Sequence, residues 1–237
     1  GLVGSEMCIR DRNYVTITRK EVAMIQGIIF DMDGVLFDTE PFYFKRRHDF
    51  LSQKGISIDH LSPKDFIGGN LQEIWKDLLN EHCTAEQASA VAADYEAYKL
   101  IHKPPYAEVL FAETKPCLQT LKDKNIKLAL ASNSSREDIS LALESSQMKE
   151  YFEVILARED VSRGKPYPDI YEKAAQKLGL AKESLLVVED SQKGIAAAKA
   201  AHLSVVAVTD YRYNIDQRQA DAKIDHLGQL YASIESF

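Results

Sequence analysis

The sequence predicts an α/β fold, a doubly wound parallel sheet with a helical domain inserted after its first strand. Three observations predict it. Short apolar runs alternate with helical patterns through the second half of the chain. Each of the main runs leads directly into a polar cluster. Between the first run and the second lies a block whose periodicity is helical throughout. Strand–helix alternation implies right-handed crossovers and a parallel sheet covered on both faces.

Taken in order, Ile25 to Phe30 reads as a buried strand and ends in Asp31-Met32-Asp33-Gly34. Pro41 suits a first helical turn. Phe42, Phe44, Phe50 and Leu51 then alternate with Lys45, Arg46, Arg47, His48 and Asp49 until Gly55. A short helix at 62–65 is broken by Gly68-Gly69-Asn70. Leu71, Ile74, Trp75, Leu78 and Leu79 follow at helical spacing and read as packing residues. Thr84 and Gln87 form a capping box, opening a helix that Pro104-Pro105 stops.

Residues 40–103 are therefore expected to form a helical cap domain, and residues 24–39 with 104–237 the core. Core helices are expected at 116–124, 134–146, 169–178 and 192–201. Core strands are expected at 126–131, 154–156, 185–188 and 205–208, with an edge strand at 222–224. The helix at 134–146 is expected to start on a capping box from Ser134 to Glu137. Residues 1–23 are expected to be a non-native or disordered extension, of which residues 1 to about 20 pack on nothing and residues 1–12 lack periodicity. In residues 1–12 the charges follow the few apolar residues, which is not the order of a signal peptide.

Composition narrows the classes. The chain has 237 residues, 45% hydrophobic and 27% charged, which is ordinary globular usage. A formal net charge of −7 argues against a nucleic-acid partner. No apolar run approaches the ~20 residues of a membrane span. Cys8, Cys83 and Cys117 are scattered and odd in number, which suits a reducing cytoplasmic location. A monomer is expected.

The strand ends carry the chemistry. Asp31 and Asp33, two positions apart, leave the first strand on roughly the same side. Two adjacent acids repel unless a cation lies between them. Mg²⁺ prefers oxygen ligands and often shares its shell with a substrate phosphate. After the second run come Ser132-Asn133-Ser134, which could bind a phosphate oxygen or simply cap a helix. Lys165, between Gly164 and Pro166, could neutralise a phosphoryl group or a neighbouring carboxylate. Glu189-Asp190-Ser191 could complete a hard-cation shell, or Asp190 could cap the next helix. Four strand ends in sequence bring together a nucleophile, positive charge and a cation site, the combination phosphoryl transfer needs.

With these motifs the sequence resembles the haloacid dehalogenase superfamily, in the branch of small-sugar-phosphate phosphatases and beta-phosphoglucomutase. The motifs are Asp31-Met32-Asp33-Gly34-Val35, Ser132-Asn133, Lys165-Pro166 and Glu189-Asp190-Ser191. The resemblance implies that Asp31 is the nucleophile, forming an aspartyl-phosphate, and that Asp33 is general acid and then base. It implies that Ser132, Asn133 and Lys165 hold phosphoryl oxygens. It further implies Mg²⁺ bound by Asp31, the main-chain carbonyl of Asp33, and Asp190, with Glu189 at or just behind the metal. The substrate implied is a small phosphorylated metabolite, a sugar phosphate foremost.

Within that resemblance the cap separates hydrolysis from mutase chemistry. Beta-phosphoglucomutases place a histidine where this chain has Tyr43, and a cationic Lys-Gly-x-x-Arg loop where it has Ile67-Gly68-Gly69-Asn70-Leu71. Hydrolysis is therefore expected, with a sugar-phosphate mutase as the alternative reaction and an inactive binding or regulatory protein as the alternative class. Gly68, Gly69, Asn70 and Tyr43 are the expected cap specificity residues. The Lys45-Arg46-Arg47 run could substitute for the missing cap cations, which keeps the mutase as the alternative, but it is expected to be the solvated face of the first cap helix. Residues 37–40 and 103–106 are the expected hinges.

Overall fold

The computed structural model describes residues 24–67 and 84–234. The expected extension at 1–23 and the expected specificity loop at Gly68, Gly69 and Asn70 lie outside the described residues. So do the expected packing residues from Leu71 to Leu79.

The core is a six-stranded sheet in the order β3-β2-β1-β4-β5-β6. Its strands are β1 (Gly27–Phe30), β2 (Lys127–Ala131), β3 (Val154–Leu156), β4 (Leu185–Glu189), β5 (Ser204–Val208) and β6 (Ala222–Ile224). Every pairing is parallel. β1 sits between β2 and β4, so both its edges are bonded and its four residues are buried. Alternate residues enter opposite layers. Ile28 and Phe30 join Leu186 and Val188 in one core, while Ile29 joins Leu185 and Val187 in the other. Burying each such side chain contributes roughly 1.5–3 kcal/mol.

Helices α1 (Glu40–Gln53) and α2 (Ala85–Ile101) lie in the chain between β1 and β2. The expected capping box of α2 is present, with Thr84 accepting from the Gln87 amide. These two helices share a small core of their own, made of Phe50, Leu51, Ile58, Phe66 and Tyr95. The Phe50 and Tyr95 rings lie 5.1 Å apart.

The sheet is flanked by α3 (Thr114–Asp123), α4 (Arg136–Ser145), α5 (Asp169–Leu178) and α6 (Gln192–Ala200), with α7 (Leu230–Ile234) at the end of the described chain. Gly179 closes α5 in the left-handed conformation, φ 67°. The expected cap at Ser134 moves by one residue, and so does the cap offered as the alternative role of Asp190. Ser135, not Ser134, accepts from the Asp138 amide at the start of α4. Ser191, not Asp190, accepts from the Gly194 amide at the start of α6. A neighbouring serine performs each cap, and Ser134 and Asp190 are left for other partners.

Candidate active site

Register alone brings the strand-end residues together. Phe30 pairs with Leu130 on one side and Val188 on the other. One step further along the three strands lie Asp31, Ala131 and Glu189, and a second step gives Ser132 and Asp190. These are the carboxyl ends of parallel strands at the point where strand order reverses, the position at which such sheets bind ligands.

Gly34 turns the chain after Asp33 with φ 78°, and a Cβ there would collide with the Asp190 carboxylate. Gly194 is needed for the same reason beside Glu189. Both glycines let backbone approach an acid closely.

Lys165 holds the centre. Its Nζ donates to Asp31 Oδ1 at 2.7 Å and to Glu189 Oε1 at 2.6 Å. Burial alone lowers an ammonium's pKa, but Asp31 and Glu189 reverse that and raise it. Glu189 is wholly buried and saturated. Oε1 also accepts from the Tyr171 hydroxyl at 2.6 Å. Oε2 accepts from the amides of Asp190 and Ser191 and from the Ser191 hydroxyl. Glu189 thus grips the lysine and the loop from behind.

Oxygens of Asp31, Glu189 and Asp190 lie within 4.8 Å of one another. Burial, with Glu189 and Asp33 adding to it and Lys165 opposing, pushes Asp31 up to about 7. Burial and then the charges of Glu189 and Asp31 raise Asp190 well above the carboxylate range. One lysine against three buried carboxylates leaves an excess of negative charge. A hard divalent cation with oxygen preference fits that excess, and Asp31, through the oxygen that Lys165 does not take, and Asp190 could hold it.

Asp33 is held by three hydroxyls. Thr39 Oγ1 and Tyr43 Oη donate to Oδ1 at 2.7 and 2.8 Å, and Ser134 Oγ donates to Oδ2 at 2.6 Å. Thr39 stands at the N-cap of α1 yet makes no side-chain cap, because its hydroxyl is spent here. Ser132 is buried and accepts from the Ser134 amide at 3.0 Å. Asn133 braces the lysine loop: its Oδ1 accepts from the Lys165 amide at 3.0 Å.

Asp31, Asp33, Ser132, Ser134, Lys165 and Asp190 line a cavity of about 590 Å³ that is shared with Tyr43, Arg47, Phe66 and Ile67 of the inserted segment. Here the structure corrects the sequence reading of the basic run. Lys45 is exposed and pairs with Asp49. Arg46 donates to the His102 carbonyl at 2.9 Å. Arg47 is only 7% exposed and faces the cavity. Consecutive helical residues point about 100° apart, so three adjacent cations cannot share one solvated face.

Sequence reading also missed Thr39, Ser134 and Tyr171. Tyr171 lies on the apolar face of α5 and reads as packing; Ser134 is hidden behind the cap it was expected to make.

Acids and a lysine converge at the carboxyl ends of a parallel sheet, beside helices inserted between β1 and β2, which defines a class of α/β proteins with a helical insertion. The comparisons with known proteins give the family. The family model for haloacid dehalogenase-like hydrolases matches residues 28–208, and the chain belongs to that family. It is 31% identical over 183 residues to the phosphorylated carbohydrates phosphatase of Thermotoga maritima, covering 75% of this chain and 82% of that protein. It is 27% identical over 190 residues to the beta-phosphoglucomutase of Bacillus subtilis, covering 78% and 83%. The crystal structure of beta-phosphoglucomutase from Clostridium difficile superposes with a TM-score of 0.72 at 24% identity, covering 90% of this chain and 96% of that one, which shows the shared fold. No helix among the described residues is long and apolar enough to cross a membrane.

Proposed function

We propose that the protein is a Mg²⁺-dependent phosphatase that hydrolyses a small phosphorylated metabolite, a sugar phosphate, through an aspartyl-phosphate on Asp31. The observation that carries this reading is Lys165, held between Asp31 and Glu189 at 2.7 and 2.6 Å. A carboxylate can approach a phosphate dianion only where cations screen both.

Asp31 attacks phosphorus, and the bond from phosphorus to the ester oxygen breaks. Asp33 protonates that oxygen as it leaves. Asp33 then takes a proton from the water that attacks the acyl phosphate, which frees phosphate and restores Asp31. Covalent capture divides one hard step into two easier ones. The Ser132 hydroxyl, the amides after it and Lys165 take the phosphoryl oxygens. Asn133 contributes by holding the Lys165 backbone. Asp31, Asp190 and the Asp33 carbonyl would hold Mg²⁺, with Glu189 behind them. The bound ion supplies charge neutralisation between the carboxylates and the incoming ester.

The relative from Thermotoga maritima supports the choice of phosphorylated carbohydrates as the substrate class. The chain is proposed to act as a monomer. Arg47, a cation inside the cavity, favours one second reading, a sugar-phosphate mutase that retains a doubly charged intermediate. A screen of phosphorylated metabolites with and without Mg²⁺ tests the proposal. Metal-dependent phosphate release supports it. Isomerisation of beta-glucose 1-phosphate without net release would favour the mutase.

A further inference from the structure

We infer that Arg47 recognises a second negative group on the substrate, a carboxylate or a second phosphate, at the end remote from the reacting phosphoryl. The inference deepens the phosphatase reading and rests on it.

Arg47 is buried to 7% exposure, and its Nε and Nη1 have no hydrogen-bond partner among the described residues. Its guanidinium lies 5.0 Å from the Phe66 ring centroid and 5.9 Å from that of Tyr43. Both rings line the same cavity as Asp31 and Lys165. The aromatic faces hold the cation in place but do not replace lost hydration.

The nearby acids do not fill the need. Asp33 is occupied by three hydroxyls, and Asp31 by Lys165. Glu40, two turns earlier on α1, feels the charge of Arg47, but no ion pair joins them among the described residues. A buried guanidinium with two nitrogens that lack a partner among the described residues is the arrangement a ligand anion completes, since its planar fork matches carboxylate and phosphate oxygens.

Placement gives the direction. The Tyr43 hydroxyl reaches Asp33 at 2.8 Å, and Arg47 lies one helical turn further on, roughly 6 Å along the axis. A metabolite whose phosphoryl sits on Asp31 and whose far end is anionic would span that interval. A neutral sugar alcohol would leave the guanidinium unsatisfied.

Three probes test this: glucitol 6-phosphate with a neutral tail, 6-phosphogluconate with a carboxylate, and fructose 1,6-bisphosphate with a second phosphate. The first readout is the ratio of kcat/KM for each anion-tailed probe over the neutral one. The second is the same ratio of binding constants, by calorimetry in an Asp31→Asn background. Wild type is expected to favour at least one anionic tail. Arg47→Met should lower that ratio roughly 10- to 100-fold, and Arg47→Lys less. A ratio taken within one protein does not depend on the fraction folded. An unchanged ratio, or a wild type indifferent to both tails, overturns the inference. Selective binding without phosphate release by wild type contradicts hydrolysis and leaves Arg47 assigned. Release without Arg47-dependent selectivity does the reverse.

Discussion

Tyr43, on the first inserted helix, donates its hydroxyl to Asp33 Oδ1 at 2.8 Å. A residue of the inserted segment therefore touches the carboxylate proposed as acid and base. Removing one of that carboxylate's three donors should slow turnover without dismantling the site. Tyr43→Phe is expected to lower kcat roughly tenfold, since a hydrogen bond to a charged group contributes about 1.5–3 kcal/mol. Steady-state phosphate release measures it, and an unchanged kcat would remove Tyr43 from the chemistry.

Ser134 and Ser135 are neighbours with separate duties. Ser134 donates to Asp33 at 2.6 Å, whereas Ser135 accepts from the Asp138 amide and starts α4. Ser134→Ala should cost turnover with little change in melting temperature. Ser135→Ala should cost about 1 kcal/mol of stability, the usual loss of an N-cap, with kcat close to wild type. Paired melting curves and kinetics decide. The opposite pattern would return the cap to Ser134.

Metal binding should appear as stability. If Asp31 and Asp190 share a divalent ion, saturating Mg²⁺ stabilises the native state by mass action, about 2.7 kcal/mol at a hundredfold excess over Kd. Thermal melts with Mg²⁺ and with a chelator should differ for wild type and coincide for Asp190→Asn. A full Mg²⁺ shift retained by that variant would place the ion elsewhere.

Glu40 gives a pH dependence. Burial, only partly offset by Arg47, pushes its carboxyl up to about 7 from 4.5. The folded state then holds a proton that the unfolded chain has released. Wild type therefore loses stability from this group as pH rises from about 4.5 to about 7. Glu40→Gln removes the penalty. Its stability relative to wild type should grow across that window by about 3 kcal/mol and level off above it. Urea denaturation at several pH values measures the difference; a flat difference would mean that Glu40 titrates normally.

Much of this was legible in the sequence. The apolar runs ending in Asp31, Ser132 and Glu189 are strands buried on both faces, and such strands read as continuous hydrophobic stretches. Their parallel register then places the strand-end residues side by side without further information. What stayed hidden depends on side-chain direction. Ser134 and Ser135 are indistinguishable as candidate caps until the backbone at 135 is seen to be extended. Arg47 sits in a run of three cations, and only the rotation of α1 shows which one turns inward. Tyr171 satisfies the apolar pattern of α5, while its hydroxyl reaches Glu189.

Asp31 is the residue on which the proposed reaction depends. The direct measurement is phosphate release by wild type and Asp31→Asn, with Mg²⁺ present and with folding checked by circular dichroism. Loss of release to the uncatalysed background in a folded variant is the expected result. Release by Asp31→Asn within roughly tenfold of wild type contradicts nucleophilic attack by Asp31.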